Sequence, residues 1–360
     1  MKPLLSPINL GDLKLKNGFI VAPMTTYSSQ DNGQISDDEI PYLARRGEGG
    51  FGSIMTAACY VHPSGKAFKG QWGCDSDDKM ESLKRVADTI HESGAKAILQ
   101  IHHGGRQCPP ELAGGECISA SAVASEREGA TTPREMTDIE IERTLDDFAR
   151  AALRGKKAGF DAVEIHGANT YLIQQFVSPH SNLRSDKWNA HDLLFPLELV
   201  RRVFATVGID YPVGYRFSLE EPEQPGIRLS QTFKLIDLLV QQPLSFLHVS
   251  LKNYDQMSIH GDGNDPVLKQ IVERVDGKIP IIGVGAILNE GDVQKALDLG
   301  IEAVAIARGA IYDADWVKHY ANGEPIAKSL NRDTFETDVV LPRGLAMKIR
   351  DVVGWFEFAE

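Results

Sequence analysis

Short runs of aliphatic and β-branched residues alternate along this chain with longer stretches in which apolar residues recur every three or four positions. The first pattern is that of strands, the second that of amphipathic helices. Eight strands are expected, at Phe19–Ala22, Ser53–Ala57, Ala97–Ile101, Asp161–His166, Val213–Phe217, Phe246–Val249, Pro280–Gly283 and Ala303–Ile306. Helices are predicted at Met80–Ser93, Asp138–Ala158, Ser230–Val240, Pro266–Val275 and Asp292–Leu299, with a further short one near Arg343–Val353. In the longest, Ile141, Leu145, Phe148, Ala152 and Leu153 keep helical spacing. Thr137 and Glu140 form a capping box at its start, and Gly159 is its stop signal. Strand–helix alternation implies a parallel sheet, and eight such units favour a closed barrel. An open, doubly wound sheet would carry G-x-G-x-x-G after the first strand, and this chain does not. The expected fold class is therefore α/β: a single (β/α)8 TIM barrel domain over residues 1–360. Two long segments rich in Gly, Pro and Ser, Val61–Lys79 and Arg106–Pro133, are expected to lie over its C-terminal face.

In such a barrel the strands' C-terminal ends form the site. Period two along the fourth strand puts Val163 and Ile165 on the helix side and Glu164 and His166 on the inner side. His166, Asn169 and the hydroxyl of Tyr171 can converge there on one ligand. By themselves, His166 could equally be a satisfied core histidine and Asn169 a helix cap. Arg216 is inward on the fifth strand and needs an anion or an electron-rich ligand; the alternative is an internal ion pair, with Glu164 as the candidate partner. Gln100 is an inward amide on the third strand, able to donate and accept at a heteroaromatic edge. After the seventh and eighth strands, Gly285-Ala286 and Ala307-Arg308 suit a phosphate held by backbone N–H groups.

Composition narrows the class. Hydrophobic residues are 42% and charged residues 24% of the 360, enough for a sizeable core. The net charge of −12 argues against nucleic acid as a partner. Cys59, Cys74, Cys108 and Cys117 show no C-x-x-C pair, so no metal or iron–sulfur centre is expected. No apolar run approaches a membrane span, and the first residues lack a signal-peptide core, so a cytoplasmic protein with a small-molecule substrate is expected. A homo-oligomer is left open.

Several segments together resemble the Old Yellow Enzyme family of flavin oxidoreductases. They are Val21-Ala-Pro-Met-Thr25-Thr-Tyr27, Leu99-Gln-Ile-His-His-Gly-Gly-Arg106, His166-Gly-Ala-Asn-Thr-Tyr171, its continuation to Pro179, and Ser181–Trp188. The resemblance runs in order over nearly the whole chain. It implies FMN as a tightly bound cofactor and NADH or NADPH as hydride donor. It places Pro23, Met24, Thr25 and Ala57 beside the flavin ring, Gln100 at its pyrimidine edge and Arg216 at its N1–O2 side. Gly285, Ala286, Ala307 and Arg308 would then hold the phosphate. It further implies reduction of the C=C bond of α,β-unsaturated carbonyl compounds. His166 and Asn169 would bind the carbonyl oxygen, Tyr171 would act as the acid, and Tyr27 would line the pocket. Thr25 stands where one branch has cysteine, Asn169 where that branch has a second histidine, and the loop Asn189–Leu194 is short for the family. Larger relatives append an iron–sulfur segment and a nucleotide domain, for which this sequence has neither the cysteines nor the length. Two alternatives remain at this level: a flavin or quinone-type reductase with no dedicated alkene, and a flavin-free barrel lyase using Lys252.

Overall fold

A computed structural model describes residues 2–359. Eight parallel strands close on themselves: β1 Phe19–Val21, β2 Ser53–Met55, β3 Lys96–His102, β4 Ala162–Gly167, β5 Val213–Phe217, β6 Phe246–Val249, β7 Ile281–Val284 and β8 Ala303–Ile306. Pairing runs in chain order around the ring and closes β8 onto β1. The architecture is a (β/α)8 barrel. Every expected strand is present, with ends shifted by at most two residues.

Strand alternation separates two cores. Val163 and Ile165 of β4, Tyr215 and Phe217 of β5 and Leu247 and Val249 of β6 face the helices. Ile20, Met55, Ile98, Ala162, Phe246, Ile282 and Ala303 fill the interior. A glycine makes this filling possible: a Cβ on Gly214 would stand 2.0 Å from the Phe246 ring. The lower end of the barrel is plugged by a hairpin, Ile8–Leu10 paired with Leu13–Leu15, whose leucines join the interior core. The alternating pattern of strands and helices gave no sign of this plug, because two three-residue strands carry too little periodicity.

Asp138–Ala158 forms as expected, with the reciprocal Thr137–Glu140 capping box and Gly159 at φ 97° as its left-handed stop. Two further helices complete the alternation, Glu39–Glu48 after β1 and Leu194–Val207 after β4. Pro41 and Gly47 weaken the first as a helix signal. The second starts without a side-chain cap, from Leu193 at φ 54°.

The loop segments expected over the barrel are folded. Val61–Lys79 buries Gln71, Trp72 and Cys74, and Trp72 Nε1 donates to the buried Glu39 at 2.5 Å. The helix Arg343–Asp351 packs on its own barrel: Gly344 N–H donates to Ser28 Oγ and Arg343 N–H to Asp38, each at 2.7 Å. Among the described residues no helix is long and apolar enough to cross a membrane.

Removing the capping box with Thr137→Ala should cost about 1 kcal/mol of stability. Urea denaturation should report that loss with turnover unchanged.

Candidate functional site

Along the barrel axis the interior changes from apolar to polar. Register places Gln100 beside Glu164, and His166 beside Arg216, which is beside His248. Glu164 is fully buried and inward, as expected. Its carboxylate, however, accepts from His248 Nδ1 at 2.7 Å and Gln100 Nε2 at 2.6 Å rather than forming the candidate ion pair with Arg216. Arg216 instead turns its Nη2 to Ser250 Oγ and acts on Glu164 only through space. Burial pushes the Glu164 carboxyl up, but His248 and Arg216 together hold it below its ordinary value. Burial also lowers His248 against the pull of Glu164. The carboxylate is thus ionised, and His248 Nδ1–H is donated to it.

Arg216 donates from Nη2 to Ser250 Oγ at 3.2 Å, while its buried Nε has no partner among the described residues. Ser250 Oγ in turn donates to Asn169 Oδ1 at 2.9 Å. That bond fixes the Asn169 amide so that Nδ2 is turned outward as a donor. The backbone of Asn169 is left-handed, φ 57°, and its N–H donates to Ser218 Oγ at 2.9 Å. Ser218 and Ser250 were not singled out from the sequence. Their signal was position alone, each being the first residue after an inner strand.

His166 is buried, and Ala168 N–H donates to its Nδ1 at 3.3 Å. The remaining proton therefore sits on Nε2. Burial, reinforced by Arg216 and His102, drives its pKa well below the ordinary value, so it is a neutral donor. Tyr171 packs edge-on against both His102, centroids 4.3 Å apart, and His166, 5.2 Å apart. Burial raises its phenol pKa, an effect partly offset by the nearby Arg127 of the long loop. Tyr27, φ 56°, stacks near Phe68 at 5.6 Å with Lys348 Nζ 5.8 Å from its ring. The structure thus brings Tyr27, His102, His166, Asn169 and Tyr171 to one mouth. His102 shares the inner face of β3 with Gln100, as strand alternation requires, whereas Phe68, Arg127 and Lys348 are members the sequence pattern did not mark.

Pro23, Met24 and Thr25 lie half-buried in the turn after β1, and Ala57 lies buried after β2. A cleft of about 190 Å³ runs from Arg216 to Gly285, Ala286, Ala307 and Arg308. Gly285 has φ 131°, and a Cβ there would stand 2.8 Å from the Asn253 backbone. The N–H groups of these four residues have no acceptor among the described residues. An unpaired buried guanidinium nitrogen at one end and free N–H groups at the other suit a long ligand with a phosphate tail. Lys252 lines the same cleft but is exposed, unlike a desolvated lysine nucleophile.

The model of the NADH:flavin oxidoreductase / NADH oxidase family matches residues 3–326. The chain belongs to that family. It is 36% identical to the probable NADH-dependent flavin oxidoreductase YqiG of Bacillus subtilis, over 100% of this chain and 99% of that protein. It is 40% identical to the NADH:acrylate oxidoreductase of Vibrio harveyi, over 88% of this chain but only 33% of that longer protein. Morphinone reductase superimposes with a TM-score of 0.77 at 25% identity, over 93% of each chain. As a member of the Old Yellow Enzyme family, the chain is an oxidoreductase that works with FMN and a nicotinamide coenzyme.

Burial lowers the pKa of His102 from 6.5 to about 3. In that window the unfolded chain binds a proton that the folded one does not, so stability falls as pH drops below 6.5. His103 and His166, also lowered by burial, act in the same direction. His102 alone should cost about 2 kcal/mol by pH 5. Urea midpoints at pH 7 and pH 5 should show this loss, and His102→Phe should reduce it.

Proposed function

We propose that this chain reduces the activated C=C bond of α,β-unsaturated carbonyl compounds with electrons from NADH or NADPH, as one domain over residues 1–360. The observation that carries it is the paired orientation of two donors: His166 Nε2–H, set by Ala168 N–H, and Asn169 Nδ2, set by Ser250. Two neutral donors presented beside a buried phenol match an oxygen that gains negative charge during reaction. The name of the Vibrio harveyi relative, which refers to acrylate, supports an activated alkene as the substrate class.

Pro23, Met24, Thr25 and Ala57 would line the flavin ring. Gln100 would meet its pyrimidine edge with the amide atoms that Glu164 leaves uncommitted, and Arg216 would face its N1–O2 side. Gly285, Ala286, Ala307 and Arg308 would hold the phosphate. When bound, FMN would supply the hydride-transfer chemistry between the nicotinamide and the alkene β-carbon. His166 and Asn169 bind the carbonyl oxygen and draw electron density from the alkene. Tyr171 gives a proton to the α-carbon, which completes the addition of H⁻ and H⁺. Tyr27 lines the pocket against the substrate. Arg216 keeps its charge because Glu164 balances it, and it would supply a cation to the N1–O2 side of a bound flavin.

Stopped-flow measurement of the two half-reactions tests the assignment. Tyr171→Phe should slow alkene reduction by about 10²-fold or more while FMN reduction by the nicotinamide changes by less than about twofold. Equal loss in both half-reactions would remove Tyr171 as the acid. Unchanged alkene reduction would likewise remove Tyr171 as the acid, whereas wild-type enzyme that reduces flavin or quinone but no activated alkene would favour a flavin or quinone-type reductase. Ser250→Ala frees the Asn169 amide to turn and should raise the substrate KM about fivefold, the worth of one hydrogen bond.

A further inference from the structure

His102 lies two residues beyond Gln100 on the inner face of β3, fully buried. Its Nδ1 accepts a hydrogen bond from Gln71 Nε2 at 3.0 Å. The Gln71 amide cannot turn over without loss. Its Oε1 accepts Ala67 N–H at 2.7 Å, and its Nε2 also donates to Ala58 O at 3.0 Å. An imidazole that accepts at Nδ1, and that burial keeps neutral, carries its proton on Nε2. That nitrogen is buried without a hydrogen-bond partner among the described residues. It sits in the ring cluster where Tyr171 stands 4.3 Å away at 83° and His166 5.5 Å away.

A donor buried without an acceptor costs about 1–3 kcal/mol, so an apolar ring would pack here at lower cost. The opposite tautomer would leave a bare nitrogen on the ring that packs against the Tyr171 ring. A neutral imidazole nitrogen is a good acceptor, and a phenol proton bound to it is withheld from the substrate. We propose that His102, locked in its Nε2–H form by Gln71, is a positioning residue for Tyr171: it denies the phenol proton an acceptor inside the protein and leaves it for the substrate carbon. The segment Val61–Lys79 thereby acts on the chemistry through Gln71, whose amide is committed to Ala67, Ala58 and His102. This inference rests on Tyr171 being the acid.

Nitrogen-15 NMR of histidine-labelled, FMN-loaded wild-type enzyme reads the tautomer directly, with His102→Phe identifying the signal. The expected result is a protonated Nε2 and a bare Nδ1; a protonated Nδ1 overturns the inference. In stopped flow, Gln71→Leu should slow alkene reduction about tenfold, the kinetic equivalent of one misplaced hydrogen bond. Its solvent isotope effect should change while FMN reduction does not. Adding His102→Phe, which removes the acceptor altogether, should bring the rate back to within about twofold of the His102→Phe single variant. Equal slowing of both half-reactions in Gln71→Leu, or a defect that persists in the double variant, overturns the inference. A slow Tyr171→Phe with a normal Gln71→Leu defeats this inference alone. A normal Tyr171→Phe defeats the assignment of the acid and this inference with it.

Discussion

Glu164 has no contact with solvent, yet it is ionised, and the polar half of the barrel is arranged around that charge. A carboxylate taken out of water survives only if its oxygens are hydrogen-bonded and its charge is balanced nearby. Gln100 and His248 supply the hydrogen bonds, from the neighbouring strand on one side and from two strands away on the other. Arg216 supplies the balancing charge through space. Because Glu164 does not pair with it directly, the guanidinium keeps a free nitrogen facing the cleft. A direct ion pair would have spent that capacity inside the core.

The same economy governs the donors above this layer. Three ambiguous rings or amides have their orientation decided by a hydrogen-bonding partner within the protein. Ala168 N–H sets His166, Ser250 sets Asn169, and Gln71 sets His102. Donors fixed before a ligand arrives need no reorganisation when charge develops on it. The backbone shows a related constraint. Tyr27, Asn169, Thr170 and Ala286 all hold positive φ in the turns that follow β1, β4 and β7. Such conformations cost about 1–3 kcal/mol each and persist only where surrounding contacts over-determine them. The sharp turns they allow bring side chains and N–H groups back over the strand ends.

The walls of the mouth come from segments far apart in the chain. Phe68 comes from the loop after β2, Arg127 from the loop after β3 and Lys348 from the last helix. The last helix is held to the turn after β1 by the Gly344–Ser28 and Arg343–Asp38 hydrogen bonds. Buried Arg46 reaches the same tail through the carbonyl of Val340 at 2.9 Å.

The sequence by itself determined the barrel, because strand and helix periodicities repeat often enough to be counted and each strand's alternation tells inside from outside. It also put Gln100, His166 and Arg216 on the inner face through strand alternation, and the structure brings Asn169 and Tyr171 to the same mouth. What it did not contain were facts about pairs. Glu164 and Arg216 share an inner face, but only the closed fold turned Arg216 to Ser250 and gave the carboxylate to His248 and Gln100. Ser250, Gln71 and Lys348 carry no motif, and their effect comes from where the closed barrel and its loops bring them. The leucine plug was hidden for a similar reason: three-residue strands make sense only against the barrel floor they close. Periodicity is local and survives in one dimension, whereas the orientation of a ring or an amide is set by neighbours that only the closed fold supplies.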